Sequence, residues 1–258
     1  YLIVAGLPAV LEIGITDFLF GTEWAGKQGQ FGILPFILTS VAGTAGAVLV
    51  GVPVGILTAM FLAKVAPPKA ARVIRTAVEL LAGIPSIVYG LGGMIVLVPA
   101  IQRTFQLASG ATLLAAIVVL AVMILPSIIN VAETALQAVP REYEEASLAL
   151  GATHIETIFR ISLPAARSGV ATAVVLGVGR AIGEAMAIIM VSGNVPNMPE
   201  SLFAPVRFLT TAIASEMSYA AVGSLWQQAL YSVGLVLFLF IMIINVILNV
   251  CIKNRKEG

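Results

Sequence analysis

Apolar residues in this chain do not alternate with polar ones but run on without interruption. No Asp, Glu, Lys or Arg falls between Gln28 and Ala63, Leu80 and Gln102, Thr104 and Ala132, or Met217 and Ile252. Each run exceeds the roughly 20 residues that carry a helix across a hydrocarbon core. Backbone amides in lipid must be paired internally, which leaves helices or a closed barrel. Barrel strands alternate apolar and polar positions over about ten residues, and these runs are apolar on every side. The pattern predicts an all-α, polytopic membrane protein with six spans, near 1–16, 32–63, 77–101, 111–133, 169–192 and 223–250. The apolar stretch ahead of Glu12 is too short to span and lacks the charged start of a signal peptide. The upstream half of a first helix is therefore expected ahead of Tyr1. A single transmembrane domain over 1–258 follows, with 134–168 as its one long charged loop.

Breakers and small residues refine the spans. Pro35 and Pro53 fall in the second, and Gly83-Ile84-Pro85-Ser86 in the third. Proline removes an amide and frees a carbonyl one turn back, so a kink or a break lining a watery pathway is expected at each. Gly179 and Gly183, continued by Ala187, form one small-residue row in the fifth span, and Gly169, Ala173 and Gly177 form another. Such rows let membrane helices approach closely, which predicts a central place for this span.

Composition agrees with the pattern. Charged residues make up 10%, against about 25% in soluble domains. The net charge of +1 says nothing of partners, but its distribution sets an orientation. Lys64, Lys69, Arg72, Arg75, Arg141, Arg160, Arg167, Lys253, Arg255 and Lys256 flank one side, and only Lys27, Arg103 and Arg207 flank the other. The positive-inside rule then puts the 64–76 turn, the 134–168 loop and the C-terminus in the cytoplasm. Trp24 and Trp226 fall on the outer side, where indoles favour the membrane interface. Cys251 is the only cysteine, so no intrachain disulfide can form.

The charged loop has internal order. Pro140 opens a helix, and Glu142, Glu144 and Glu145 sit in its first turns, where the helix dipole favours anions. Gly151 suits a left-handed stop. Thr153 and Glu156 have the spacing of a capping box for a second helix, which Pro164 is expected to end. Two short helices hinged at a glycine result, where a flexible linker would have had neither cap nor stop.

Glu145-Ala146-Ser147, Gly151 after three intervening residues, and Ile161-Ser162-Leu163-Pro164 resemble the EAA loop of ABC importer permeases. Ser147 stands where that family has Ala, another small residue. The resemblance implies a coupling element that docks on an ATPase subunit through Glu145, Ala146, Ser147, Gly151, Ile161, Leu163 and Pro164. The alternative is a solvated amphipathic hairpin. Further stretches are similar to one subfamily, the PstC permease subunits of bacterial phosphate importers. They are Phe31-Gly32-Ile33-Leu34-Pro35-Phe36, Gly83 to Gly90, Gly179 to Ala187, Gly193-Asn194, Ser201-Leu202-Phe203 and Leu209-Thr210-Thr211. Phe208 departs from the family, which has Thr there, with consequences expected at an outer gate or a binding-protein contact. The resemblance implies a type I importer permease fold in the bacterial cytoplasmic (inner) membrane. It also implies a PstA-like second permease, a PstB-like ATPase dimer and a PstS-like extracytoplasmic phosphate-binding protein. ATP and magnesium would belong to the ATPase, and this chain would carry no cofactor.

Arg180 lies mid-way along the fifth span, and Glu184 follows four residues on. On an unbroken helix the two share a face and can pair. A charge at that depth costs at least about 2.5–3.5 kcal/mol, so such a residue reads either as a structural ion pair or as a station on a substrate path. A guanidinium offers an oxyanion two parallel hydrogen bonds. Ser86, Tyr89 and Asn130 are further candidates for the path, with interhelical hydrogen bonding as their plainer role. Arg75 and Glu79 are spaced to pair, and His154 is expected as a polar loop residue. Gly21 to Lys27 has P-loop spacing, but Gln28 stands where magnesium binding needs Ser or Thr. Neither nucleotide nor nucleic acid is expected as a partner of this chain. No metal cluster or nucleophile–base set supports enzyme chemistry. The sequence thus implies a phosphate importer's permease subunit. Its rivals are a permease for molybdate or sulfate, an intramembrane phosphate-handling enzyme, and a scaffold that reports phosphate to a sensor.

Overall fold

The computed structural model describes residues 1–254. Arg255 and Lys256, used in the orientation count, lie outside the described residues, as do the side chains of Cys251 and Lys253. The elements run in chain order as α1 (Leu2–Ile13), α2 (Ile15–Phe20), β1 (Trp24–Ala25), β2 (Gln30–Phe31), α3 (Leu34–Met60), α4 (Pro68–Gly83), α5 (Ser86–Gly92) and α6 (Val98–Phe105). Then come α7 (Leu113–Gln137), α8 (Arg141–Ala149), α9 (His154–Thr157), α10 (Leu163–Ala165), α11 (Arg167–Gly183), α12 (Met186–Val191), α13 (Leu209–Glu216) and α14 (Leu225–Asn254). Among the described residues, π turns are woven in at Phe61–Val65, Gly93–Leu97 and Ile158–Ser162.

Among the described residues, four stretches are long and apolar enough to cross a membrane: Leu34–Val65, Ser86–Phe105, Leu113–Gln137 and Leu225–Ile247. A fifth arises if His154–Ala165 and Arg167–Gly183, bent by 74°, count as one. The protein is therefore a multi-pass helical membrane protein. Its six expected spans correspond to α1, α3, α5 with α6, α7, α11 with α12, and α14. Two differ from expectation in kind. The third span starts at Ser86, because Ile84 and Pro85 take extended conformations and leave 68–83 as a separate helix. The fifth is broken between Gly183 and Met186.

The chain divides into two compact units. The first comprises Tyr1–Ala47, Pro85–Leu120 and Ile182–Ile244. Its core gathers Ala9, Phe18, Trp24, Phe31, Ile33, Phe36, Leu209, Leu230 and Val233. In it α5 and α12 pack closely at Gly90, where a Cβ would lie 2.8 Å from the Cα of Ala187. The second unit comprises Val48–Ile84, Ala121–Ala181 and the chain from Asn245. There Leu62, Ala71, Val78 and Ile129 form a small core. Of the two small-residue rows, one packs as expected. Gly169 meets Ala135, Ala173 is buried, and Gly177 meets Ile128. The other does not, for a Cβ at Gly179 or Gly183 would meet open space.

Candidate functional site

The hairpin after α7 is built largely as its residues dictate. Pro140 caps α8, and Gly151 stops it at φ +89°. The Ala152 amide donates to Ser147 O and the Gly151 amide to Leu148 O, the paired bonds of a Schellman stop. Thr153 and Glu156 close the capping box, with the Thr153 amide 2.9 Å from Glu156 Oε2 and the Glu156 amide 3.3 Å from Thr153 Oγ1. The Thr153 amide, together with the Thr153 hydroxyl that donates to Glu156 Oε2 at 2.9 Å, holds the exposed Glu156 carboxyl below its ordinary pKa. Pro164 does not end the second helix, which continues to Ala165. The preceding π turn, closed by the Leu163 amide on Ile158 O, widens the helix just where the proline ring would otherwise clash. Tyr143, Leu148, Leu150, Ile155 and Phe159 are exposed on the hairpin, as are Glu145, Ala146, Gly151, His154 and Pro164. Ser147, Ile161 and Leu163 are half-buried, and Ser147 Oγ lies 2.9 Å from Thr157 Oγ1.

A polar joint beneath the hairpin was not legible in the spacing. Glu144 accepts from Ser162 Oγ at 2.8 Å and pairs with Lys64 Nζ at 2.5 Å. Burial pushes its carboxyl up, but the Lys64 and Ser162 hydrogen bonds and the Lys64 charge outweigh this and hold it below the ordinary glutamate value. Arg75 pairs with Glu133 of α7 at 2.6 Å, so the expected pair with the exposed Glu79 is not its partner. Gln137 donates to the same Glu133 oxygen at 2.9 Å.

Arg180, half-buried on α11, donates to Ser127 Oγ on α7 at 3.3 Å. It takes part in none of the ion pairs among the described residues, which are Lys64–Glu144, Arg75–Glu133 and Arg207–Glu216. The expected pairing with Glu184 fails because the helix ends at Gly183 and the shared face ends with it. Glu184 Oε1 instead accepts the Ala187 amide at 3.0 Å, and its carbonyl accepts Thr210 Oγ1 at 2.7 Å. Ser86 and Tyr89 are half-buried on α5. Asn130 is exposed on α7, and its carbonyl accepts Thr134 Oγ1 at 2.8 Å.

The first unit holds a second polar cluster. Glu216 Oε2 accepts both indole N–H groups, from Trp24 at 2.8 Å and Trp226 at 2.9 Å, while Oε1 pairs with Arg207. Arg207 also donates twice to Asn194 O, at 3.1 and 2.8 Å. These residues line an open cavity of about 560 Å³. Trp24 is thus buried in protein, not at a lipid interface. Phe208 is buried too, packed against Gly43, so its ring is not offered to a partner. The Gly21–Lys27 stretch contains β1 and leads into a 3-10 turn, unlike a phosphate-binding loop.

Apolar spans, two of them interrupted, and a capped polar hairpin define a multi-pass helical membrane protein with a structured polar loop. The family described as "Binding-protein-dependent transport system inner membrane component" matches residues 51–255, and the chain belongs to it. It is 42% identical over 253 residues to "Probable ABC transporter permease protein YqgH" of Bacillus subtilis, covering 95% of this chain and 82% of that one. It is 37% identical over 247 residues to "Phosphate transport system permease protein PstC" of Mesorhizobium japonicum, covering 88% and 75%. The protein of the same name from Pasteurella multocida is 34% identical over 288 residues, covering 100% and 89%. In fold the chain resembles a chain of the MetNI methionine ABC transporter, with TM-score 0.64, 22% identity, and coverage of 86% of this chain and 94% of that one.

Proposed function

We propose that this chain is one of two permease subunits of an ATP-driven importer of inorganic phosphate in the bacterial cytoplasmic membrane. The observation that carries the cargo is the 37% identity to a phosphate transport permease over 88% of the chain. Phosphate arrives on an extracytoplasmic binding protein, and a separate ATPase dimer binds ATP and magnesium and drives the change of access. The hairpin faces the cytoplasm and meets the ATPase through Glu145, Ala146 and the exposed Tyr143, Leu148, Leu150, Ile155 and Phe159. Such apolar exposure on a polar hairpin suits a docking face.

Arg180 is the anion station of this reading. A serine hydroxyl is a neutral partner, so the guanidinium keeps its charge for an oxyanion and has donors left over for it. Ser127 orients the group without neutralising it. Glu184 holds the start of α12, and Ser86, Tyr89 and Asn130 serve as weaker polar stations. In proteoliposomes bearing all subunits, Arg180→Gln is expected to lower phosphate uptake at least tenfold. Wild-type uptake by that variant would end the assignment of Arg180. Excess molybdate or sulfate should leave uptake unchanged, and strong competition by either reassigns the cargo.

A further inference from the structure

Helix α8 is the more exposed arm of the hairpin. None of its nine residues is buried, whereas the second arm buries Thr157, Ile158 and Ser162. An element without a buried face is held by its polar contacts or not at all. For α8 the side-chain contacts are Ser147 with Thr157, which ties the two arms together, and Glu144 with Lys64 and Ser162. Of these, the Glu144 joint reaches the π turn that follows α3.

Its geometry is particular. A single oxygen, Glu144 Oε1, receives both Lys64 Nζ and Ser162 Oγ. The Lys64 and Glu144 side chains keep only 9% and 21% of their exposure, and Ser162 is fully buried. Both donors sit in π turns, Lys64 in Phe61–Val65 and Ser162 in Ile158–Ser162. π turns are scarce, and they concentrate where a helix must yield for function. Partly buried ion pairs contribute little net stability, but they fix register between elements. One carboxylate thus fastens a helix with no buried residue to two pliable turns.

We infer that Glu144 is the positioning residue through which displacement of α8 reaches α3, with Lys64 and Ser162 as its two seats. Helix α8 has no buried residue of its own through which a push on its exposed face could act. The Lys64–Glu144 strut passes that push to the π turn that follows α3, and that turn absorbs the change in register before α3. The inference rests on the importer reading and adds to it a route for the stroke.

The test uses the complete transporter in proteoliposomes and reads phosphate taken up per ATP hydrolysed. Glu144→Gln and Lys64→Met should each lower that ratio at least fivefold. The charge-swapped pair Lys64→Glu with Glu144→Lys should restore it to within about twofold, since the strut is rebuilt with its ends exchanged. A mere scaffold would lose hydrolysis and uptake in proportion and leave the ratio unmoved, and that result overturns the inference. So does a swap that recovers nothing. If the charge variants fail to assemble, Ser162→Ala removes one seat only and should lower the ratio two- to threefold, and an unchanged ratio there also overturns it. A wild-type complex that imports no phosphate refutes the importer reading instead.

Discussion

Glu216 and Glu144 are both carboxylates that gather charged and neutral donors, yet their surroundings make them different devices. Glu216 binds two indole N–H groups and a guanidinium inside an apolar frame. The ring of Trp24 stands 5.5 Å from that of Phe31 and 5.4 Å from that of Phe36, and Arg207 lies over Phe36 at 5.8 Å. Rigid rings with few torsions hold such a cluster in one geometry. Glu144 binds a lysine and a serine, each on a π turn, beneath a helix with no buried residue. The ion pair is common to both sites. What differs is the apolar packing around it, which makes one a lock and lets the other serve as a strut.

The largest expected effect tests the lock. Glu216→Leu strips Arg207 of its charge partner and two indoles of their acceptor. Breaking a partly buried pair from one side costs roughly 3–5 kcal/mol, so thermal unfolding in detergent should shift strongly downward, with a change in tryptophan emission. The same change at Glu144 should shift unfolding less while uncoupling transport from hydrolysis. Equal melting losses at both sites would erase the distinction.

A second effect compares packing directly. At Gly43 an added Cβ would lie 2.4 Å from the Phe208 ring, which is itself buried. Overpacking of this kind costs about 1–3 kcal/mol, so Gly43→Ala should lower the melting temperature and Phe208→Ala should relieve it. At Gly177 the obstacle is the Ile128 side chain, with Cγ1 at 2.8 Å and Cδ1 at 2.9 Å. A flexible side chain can turn away, so Gly177→Ala should cost less. The reverse order would mean that the first unit is the softer one.

These contrasts also mark what the sequence made legible. The charge-free runs showed the spans because lipid imposes a length and forbids charge. Pro140, Gly151 and the Thr153–Glu156 spacing showed the hairpin because caps act over a few residues. The break at Glu184 was not legible, since nothing in Gly183-Glu184-Ala185 forbids a helix, and the pairing of Arg180 with Glu184 was misread for that reason. The Lys64–Glu144 and Glu216–Trp24 contacts join residues 80 and 192 positions apart. Spacing carries no signal for either. Lys64 could have been suspected only as a charge closing an otherwise apolar span.

A smaller effect concerns the second hairpin arm. Thr153→Ala removes one half of the capping box and should cost about 1 kcal/mol. The loss is local, so hydrogen exchange of the α9 amides should quicken roughly fivefold with little change in global melting. Uniform acceleration across α7 and α14 would show that the hairpin unfolds with the spans, and that the strut is no more pliable than the lock.

The smallest effect is the pH dependence of the strut. The Glu144 carboxyl is held below its ordinary value of about 4.3. A depressed folded pKa means that the unfolded chain takes up the proton first as pH falls. The contribution of the ionised group is therefore complete above the ordinary value and is lost as pH drops through the lower, folded one. The difference in melting temperature between wild type and Glu144→Gln should be flat between about pH 5 and 8 and close below about pH 4. Glu156 titrates in the same acidic range, through its bonds to Thr153, but it is present in both proteins and cancels. A difference that stayed flat through pH 4, or that fell between pH 5 and 8, would mean that the carboxylate gains nothing from Lys64 and Ser162 in the folded state, and a strut with no preference for its seats could transmit no load.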